Sequence, residues 1–441
     1  MTHNSGVRAA FTTLGCKVNQ YETQRILETF EEAGFAVVPF DAAADVYVIN
    51  TCSVTSIAES KSRYAVRRAR RAQPDAVVVV TGCATQMALN REEHIPDADV
   101  MVPNPDKLET LTATLRARPD LRPIAVVGPR PRSTGRTRAT LKVQDGCSVF
   151  CSYCSIPYTR PRMESRPAED VLDEAERLVA MGYREIVLTG VLIGSYGPQT
   201  GSGGPDFETL VEQIADRCPG ARLRISSIEM RQVTDRLIGL MEDGRVVPHL
   251  HIPLQSGDTD VLRDMNRPYT QADYLRLVER LHRRVPDFVL TMDVMVGFPT
   301  ETAERFESTL HVVRETRPLK VHAFRFSPRF GTPADAWGDP IEPTVKQARA
   351  EALNALSGEV GDGVRRRFLG RTLRVLVEGK VRRDGLLEGL TDNYVEARFA
   401  GSPQLARSYA SVRLDEAREG ACYGEIAIDR PGLLVRKSGS A

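Results

Sequence analysis

Three times early in this chain a short apolar, β-branched run ends in a cysteine. FTTLGC reaches Cys16, VYVINTC reaches Cys52 and VVVVTGC reaches Cys83. Such runs read as strands, at AAFTTL (9–14), DVYVIN (45–50) and AVVVV (76–80). Helical stretches separate them, NQYETQRILETFEEAG (19–34) and AESKSRYAVRRARRAQ (58–73). Parallel strands need crossover connections, so this repetition predicts a parallel α/β sheet. In such a sheet all carboxyl ends lie at one edge, and the three cysteines would share it. Their separations of 36 and 31 residues each suit one crossover, which takes ~30 residues or more. Gly15 and Gly82 would let the backbone turn tightly beside a bulky group. One strand-end cysteine reads as a small buried hydrophobe. Three at equivalent ends read better as a three-thiolate metal site.

A second alternation runs from 140 to 340. Strands are expected at TLKVQDG (140–146), EIVLTG (185–190), RLRISSIE (222–229), HLHIPLQ (249–255), VLTMDVMVGF (289–298) and KVHAFRFS (320–327). Helices are expected between them, for example at 167–182, 207–218 and 272–285. Six βα units predict an open or partial barrel, because a closed eight-stranded barrel takes ~250 residues. Its active site would gather at the carboxyl ends of the strands. A helix over 343–368 leads into short alternating strands at 372–379, 393–399 and 408–414. These predict a small all-β, barrel-like module. The expected organisation is therefore an amino-terminal domain at 7–120, a Pro/Gly/Arg-rich linker at 121–139, a barrel core at 140–365 and a β-module at 368–437. The linker carries Arg122, Arg130, Arg132, Arg136 and Arg138.

With 41% hydrophobic residues and a net charge of +1, the chain has a normal core and is no polybasic polymer. Any nucleic-acid contact must come from local patches. No apolar run approaches the ~20 residues of a membrane helix, and the start, MTHNSGVRAAFTTLGC, lacks a signal-peptide layout. The expectation is a cytoplasmic protein without a membrane, in which eight cysteines serve metal or redox chemistry rather than disulfides.

GCSVFCSYCSIPY (146–158) holds Cys147, Cys151 and Cys154 in a C-x3-C-x2-C spacing. A zinc knuckle would want a fourth ligand nearby. Cys218 sits far along in a helical segment, and His249 and His251 lie on an expected strand, where core or substrate-facing roles are commoner. Three thiolates also suit a 4Fe–4S cluster with one iron left open for a cofactor. Cys218 and Cys422 are read as packing residues.

The C-x3-C-x2-C motif after a first barrel strand resembles that of the radical S-adenosylmethionine (SAM) enzymes. TLGCKVNQYET (13–23), NTC (50–52) and TGC (81–83) resemble the amino-terminal domain of the methylthiotransferases within that superfamily. RISSIE (224–229), HLHIPLQSG (249–257) and DVMVGFPTET (293–302) resemble their radical-SAM core. GLTDNYVEARF (389–399) resembles their RNA-binding TRAM barrel. GCKVNQYE is similar to the branch that acts on threonylcarbamoyladenosine of tRNA. One departure is Ser155, where the family usually has an aliphatic residue; the ligand spacing is intact.

The resemblance implies two 4Fe–4S clusters and SAM as cofactors. Cys147, Cys151 and Cys154 would hold the SAM-cleaving cluster, and Cys16, Cys52 and Cys83 an auxiliary cluster. Thr189, Gly190, Ser226, Glu229, Val296 and Gly297 would contact SAM. The reaction implied is insertion of a methylthio group at carbon 2 of the modified adenine beside the anticodon. The implied partners are tRNA, through its anticodon loop, a sulfur donor, and an electron donor such as flavodoxin or ferredoxin. A ribosomal protein substrate, or a non-catalytic metal-stabilised RNA-binding role, are the alternatives.

RNA contact has separate support. KSRYAVRRARR (61–71) packs six basic residues around one tyrosine, with Lys61, Arg68 and Arg71 on one helical face and Arg63, Arg67 and Arg70 on another. Between 366 and 437 there are 14 Lys+Arg against 10 Asp+Glu, an excess of four. Solvated surface charge or phosphate contact would explain both. A single-stranded anticodon loop suits such patches, because its bases splay out.

Overall fold

The computed structural model describes residues 6–121, 136–200 and 204–427. Linker residues Arg122, Arg130 and Arg132, and the end of the expected β-module beyond 427, lie outside them. The amino-terminal region comprises β1 (Arg8–Thr13), α1 (Lys17–Glu32), β2 (Ala36–Val38), β3 (Val46–Thr51), α2 (Ser56–Ala72), β4 (Val77–Gly82), α3 (Cys83–Asn90), β5 (Val100–Met101) and α4 (Thr110–Ala117). The strands form one parallel sheet in the order β2-β1-β3-β4-β5. The short strands β2 and β5 were not expected from the sequence. All residues of β3 and β4 are buried, because helices cover both faces. Tyr47, Ile49, Val78 and Val80 pack on Val66 and Ala69 of α2. Val46, Val48, Val77 and Val79 pack on Ile26 and Phe30 of α1.

The central region runs through β6 (Ala139–Lys142), β7 (Gln144–Asp145), α5 (Ile156–Thr159), β8 (Glu164–Ser165), α6 (Ala168–Ala180), β9 (Glu185–Thr189), α7 (Phe207–Arg217), β10 (Arg222–Ile225), α8 (Asp235–Glu242), β11 (His249–His251), α9 (Thr259–Asp264), α10 (Gln271–Arg284), β12 (Val289–Val296), α11 (Ala303–Thr316), β13 (Lys320–Arg325) and α12 (Pro343–Arg366). Six of these strands make a partial (β/α)6 barrel. β6, β9 and β10 pair in parallel, as do β11, β12 and β13. Parallel bridges Leu223–Val246 and Ser227–His251 join the halves. The expected first strand is split: its second half, β7, turns away and pairs antiparallel with β8.

The strands alternate. Leu141, Ile186, Leu188, Leu223, Ile225, Leu250, Leu290 and Met292 pack outward against the helices in the largest core. The intervening Glu185, Thr189, Arg222, Arg224, Ser226, His249, His251, Thr291 and Asp293 line the lumen, where they bond to one another. The helices are set by their caps and stripes. In α10 the Thr270–Asp273 capping box closes the first turn, and Tyr274, Leu277, Val278 and Leu281 supply the buried face.

The last module is a closed barrel of β14 (Thr372–Val377), β15 (Leu387–Thr391), β16 (Glu396–Phe399), β17 (Tyr409–Arg418) and β18 (Ala421–Ile426), in the order β14-β15-β16-β18-β17. β15 and β18 were not expected. Its core takes in Val289 and Leu319 at the amino-terminal ends of the barrel strands, so it docks at that end. Cys218 and Cys422 are buried in hydrophobic cores, as expected. Among the described residues no helix is long and apolar enough to cross a membrane.

Candidate active site

Cys16, Cys52 and Cys83 follow the carboxyl ends of the adjacent parallel strands β1, β3 and β4. Cys16 caps α1 and Cys83 begins α3. Gly15 and Gly82 have φ of +95° and +93°, and a Cβ on Gly15 would stand 2.6 Å from the Cys52 sulfur. A side chain at Gly82 would strike the Thr51 carbonyl at 2.5 Å. Only glycine lets the backbone pass this close. Burial pushes the Cys52 thiol up to about 11, and the Cys83 and Cys16 thiols add to the rise. Cys16 reaches solvent on one side, yet loss of hydration on the other raises its pKa too.

The second triad lies on the loop between β7 and α5. Gly146, at φ +80°, passes so close to the Arg162 carbonyl that a Cβ would lie 2.0 Å from its oxygen. Backbone N–H groups of Val149 and Ile156 donate to the sulfurs of Cys147 and Cys154, each at 3.5 Å. The buried Arg267 donates to the Cys151 sulfur at 3.2 Å. Burial pushes Cys147 up to about 11 and Cys154 up to about 12, with the Cys151 thiol adding to both. Such thiols lose their protons when a metal binds.

Both triads fit a multi-atom inorganic group. All six thiols are free. N–H donors and the Arg267 cation aim at the second triad, where they would stabilise bound thiolate. Among the described residues no three His, Cys, Asp or Glu side chains converge as one metal ion requires.

The two triads are neighbours. Asn104 Nδ2 lies 3.8 Å from the Cys83 sulfur and donates at 2.7 Å to the Thr159 carbonyl, on the helix that follows Cys154. Arg160 donates to Asn19 at 2.8 Å and to Glu22 at 2.9 Å, both on α1 just beyond Cys16.

A family model described as the Radical SAM superfamily matches residues 141–313, and one described as Uncharacterized protein family UPF0004 matches residues 8–103. The chain is 38% identical over 424 residues to the threonylcarbamoyladenosine tRNA methylthiotransferase MtaB of Bacillus subtilis (strain 168), covering 92% of this chain and 94% of that protein. It is 31% identical over 451 residues to a tRNA-2-methylthio-N(6)-dimethylallyladenosine synthase of Bacillus mycoides (strain KBAB4), covering 96% and 86%. The chain belongs to the radical SAM methylthiotransferases. Among solved structures, the radical S-adenosylmethionine methyltransferase TsrM from Kitasatospora setae matches with a TM-score of 0.54 over 73% of each chain, at 15% identity, a likeness of fold.

Radical SAM enzymes use SAM and a 4Fe–4S cluster, and methylthiotransferases carry a second cluster. In this methylthiotransferase the residues expected at SAM fall into two groups. Thr189 and Ser226, at the ends of β9 and β10, join by a 3.2 Å hydroxyl contact. Gly190 follows beside Gln144, whose Oε1 accepts from the Val191 and Leu192 N–H groups at 3.1 and 2.7 Å. Glu229 pairs with Arg267, with Nη1 to Oε1 at 3.1 Å, and so reaches Cys151 through it. Val296 and Gly297 stand apart. The Val296 side chain packs in the outer core, and Gly297, at φ +75°, lies against Lys346 with its N–H on Glu301 at 2.7 Å.

Sequence reasoning missed Arg267 and Arg160. Neither belongs to a cysteine motif, although the six-residue steps Cys154–Arg160 and Cys16–Glu22 were visible. It also placed Arg70 on a basic face of α2, open to solvent or phosphate. Arg70 instead folds back onto the carbonyls of Pro74 and Ala76 at 2.7 and 2.9 Å and onto Asp99 at 2.6 Å. Arg63 pairs with Glu59 and Arg68 with Asp41. Lys61, Arg67 and Arg71 remain exposed and have no ion pair among the described residues.

Proposed function

We propose that this methylthiotransferase adds a methylthio group at carbon 2 of threonylcarbamoyladenosine next to the anticodon of tRNA. The observation that carries this reading is identity of 36–38% over 92–94% of the chain to three proteins of that printed activity. Cys147, Cys151 and Cys154 hold the cluster that engages SAM, and Cys16, Cys52 and Cys83 hold the auxiliary cluster. Together with SAM, these groups supply the radical, the sulfur and the methyl group, chemistry beyond acid–base side chains.

The chain's own residues bind and orient. Arg267 holds Cys151 and Glu229 in one constellation. Thr189, Gly190, Ser226 and Glu229 present hydroxyl, backbone and carboxylate groups to SAM at the carboxyl ends of β9 and β10. Val296 and Gly297 would contribute backbone atoms. The polar lumen receives the base. Residues 7–120 act as the auxiliary-cluster domain, 121–139 as the linker, 140–365 as the SAM core and 368–437 as the RNA-binding module. The exposed face of α2 tracks phosphates. A sulfur donor and an electron donor such as flavodoxin or ferredoxin complete the cycle, in the cytoplasm.

Mass spectrometry of tRNA nucleosides from a deletion strain tests this. Methylthiolated threonylcarbamoyladenosine should vanish and return with the gene; an unchanged level overturns the reading.

A further inference from the structure

The closed β-barrel does not merely flank the central barrel. It caps the end opposite the cysteines. Polar contacts between the two fall at or just before the starts of strands. Tyr409 donates to the Arg184 carbonyl at 2.6 Å, ahead of β9. Arg371 grips Asp287 with two bonds of 2.7 and 2.6 Å, ahead of β12. Arg138 reaches Glu378 at 2.7 Å, ahead of β6.

The turn between β15 and β16 goes further and enters the lumen floor. Arg222 donates to Asp392 at 2.8 Å and to the Leu390 carbonyl at 3.0 Å. Arg224 donates to the Thr391 carbonyl at 3.3 Å. The Tyr394 ring stacks on His249, with centroids 4.2 Å apart and planes 15° apart, and the Arg224 guanidinium lies 5.0 Å from the centre of the same ring. Tyr394 adopts φ +72°. A non-glycine residue persists there only where its surroundings over-determine it. The Thr391 side chain does so, accepting from the Val395 N–H at 2.9 Å.

From this stack a hydrogen-bonded file climbs the lumen. His249 Nε2 meets Thr291 Oγ1 at 3.1 Å, Thr291 Oγ1 meets His251 Nδ1 at 3.0 Å, and His251 Nε2 meets Asp293 at 3.1 Å. The bonding assigns the tautomers. Among the described residues His249 Nδ1 is buried without a partner, so it carries the lone pair and Nε2–H donates to Thr291. The Thr291 hydroxyl then donates to His251 Nδ1, and His251 Nε2–H donates to Asp293. Burial, with Arg224 nearby, holds His249 neutral, as this order requires. His249 and Thr291 are 3% and 2% exposed, whereas the side chains of His251 and Asp293 are 17% and 26% exposed. The file runs from a sealed floor to an open chamber.

We infer that Tyr394 is a positioning residue: by stacking on His249 it sets the His249–Thr291–His251–Asp293 file and so orients the groups that face the base in the lumen. The inference rests on the reading that a tRNA base enters this lumen. It gives the RNA-binding module a second task, which is to complete the floor of the reaction chamber. A loosened floor leaves the base misplaced, and SAM is then cleaved without product.

The test uses the cluster-loaded full chain and measures methylthiolated nucleoside formed per deoxyadenosine released, beside the Kd for tRNA. In Tyr394→Ala the ratio should fall about tenfold or more, within the ~100-fold that a displacement of order 1 Å costs, with Kd unchanged. The Tyr394 hydroxyl has no hydrogen-bond partner among the described residues, so Tyr394→Phe should restore the ratio. Thr291→Val, which cuts the file without touching the module, should reproduce the loss and decides the matter if Tyr394→Ala does not fold. A normal ratio in Tyr394→Ala or Thr291→Val, a ratio in Tyr394→Phe as low as in Tyr394→Ala, or a loss matched by weaker tRNA binding overturns the inference. If the wild-type product is a different methylthiolated nucleoside, only the substrate reading falls, and the ratio is measured on that product.

Discussion

Arg160 and Glu22 form a two-point ion pair across the junction of the two cysteine sites, with Nη1–Oε1 and Nη2–Oε2 each at 2.9 Å. Arg160 lies six residues beyond Cys154 and Glu22 six beyond Cys16. Lys107 and Lys142 also bind Glu22, at 2.7 and 2.6 Å, and Asp145 takes the remaining charge of Arg160 at 2.8 Å. Burial alone would raise the Glu22 pKa; Arg160, Lys107 and Lys142 override it and hold the carboxylate well below its usual range.

Glu22→Gln leaves three cations facing Asp145 alone. Removing one partner from a buried pair costs about 3–5 kcal/mol, so Glu22→Gln should lower urea stability by that order. Arg160→Met removes a cation and should cost less. Equal losses would contradict the network's charge balance.

Glu185 predicts acid sensitivity. Burial would raise its pKa, but Arg224, Arg222 and Arg138 lower it from 4.5 to about 2. A carboxylate depressed in the folded state stabilises above its unfolded pKa. That contribution is lost as pH falls through the window from 4.5 to about 2. The stability difference between wild type and Glu185→Gln, measured by urea titration, should therefore shrink as pH falls through it. A constant difference would contradict the shift.

Gly82→Ala and Gly146→Ala should each remove one cluster and spare the other. Each Cβ would meet backbone oxygen, at 2.5 and 2.0 Å respectively. Iron should fall from about eight to about four per chain in both. The surviving cluster should sustain SAM cleavage only in Gly82→Ala.

Arg267→Gln removes a positive charge and an N–H···S contact from Cys151. Both favour the reduced, more negative form of a cluster. The potential of the SAM-site cluster should become more negative by roughly 59 mV, a tenfold change in a one-electron equilibrium. An EPR-monitored redox titration reads this directly.

On α2, alanine at Lys61, Arg67 or Arg71 should weaken tRNA binding and reduce its salt slope by about 0.7 for each phosphate no longer neutralised. Arg70→Ala should lower stability instead, since its guanidinium ties α2 to the Pro74, Ala76 and Asp99 region.

Much of this was legible because it is local. The three strand-end cysteines, the C-x3-C-x2-C loop and six barrel strands each follow from residues within one window. Strands β15 and β18 were missed because LEGLT and ACYGEI lack clean alternation; only closure of the barrel supplies their pairing. Val296 and Gly297 were expected beside SAM from the family resemblance; which way the Val296 side chain faces, outward into the core, is set by the pleat.

By itself the sequence determined the repeating units and the two sets of three thiols, since strand period and turn chemistry act over a few residues. Tertiary structure alone decided that Arg267 meets Cys151 across 116 positions, that Arg160 meets Glu22 across 138 and that Arg224 meets Thr391 across 167. The physical reason is burial. An arginine's partner is chosen by which carboxylate, sulfur or carbonyl is enclosed with it away from water, and packing rather than spacing sets that enclosure.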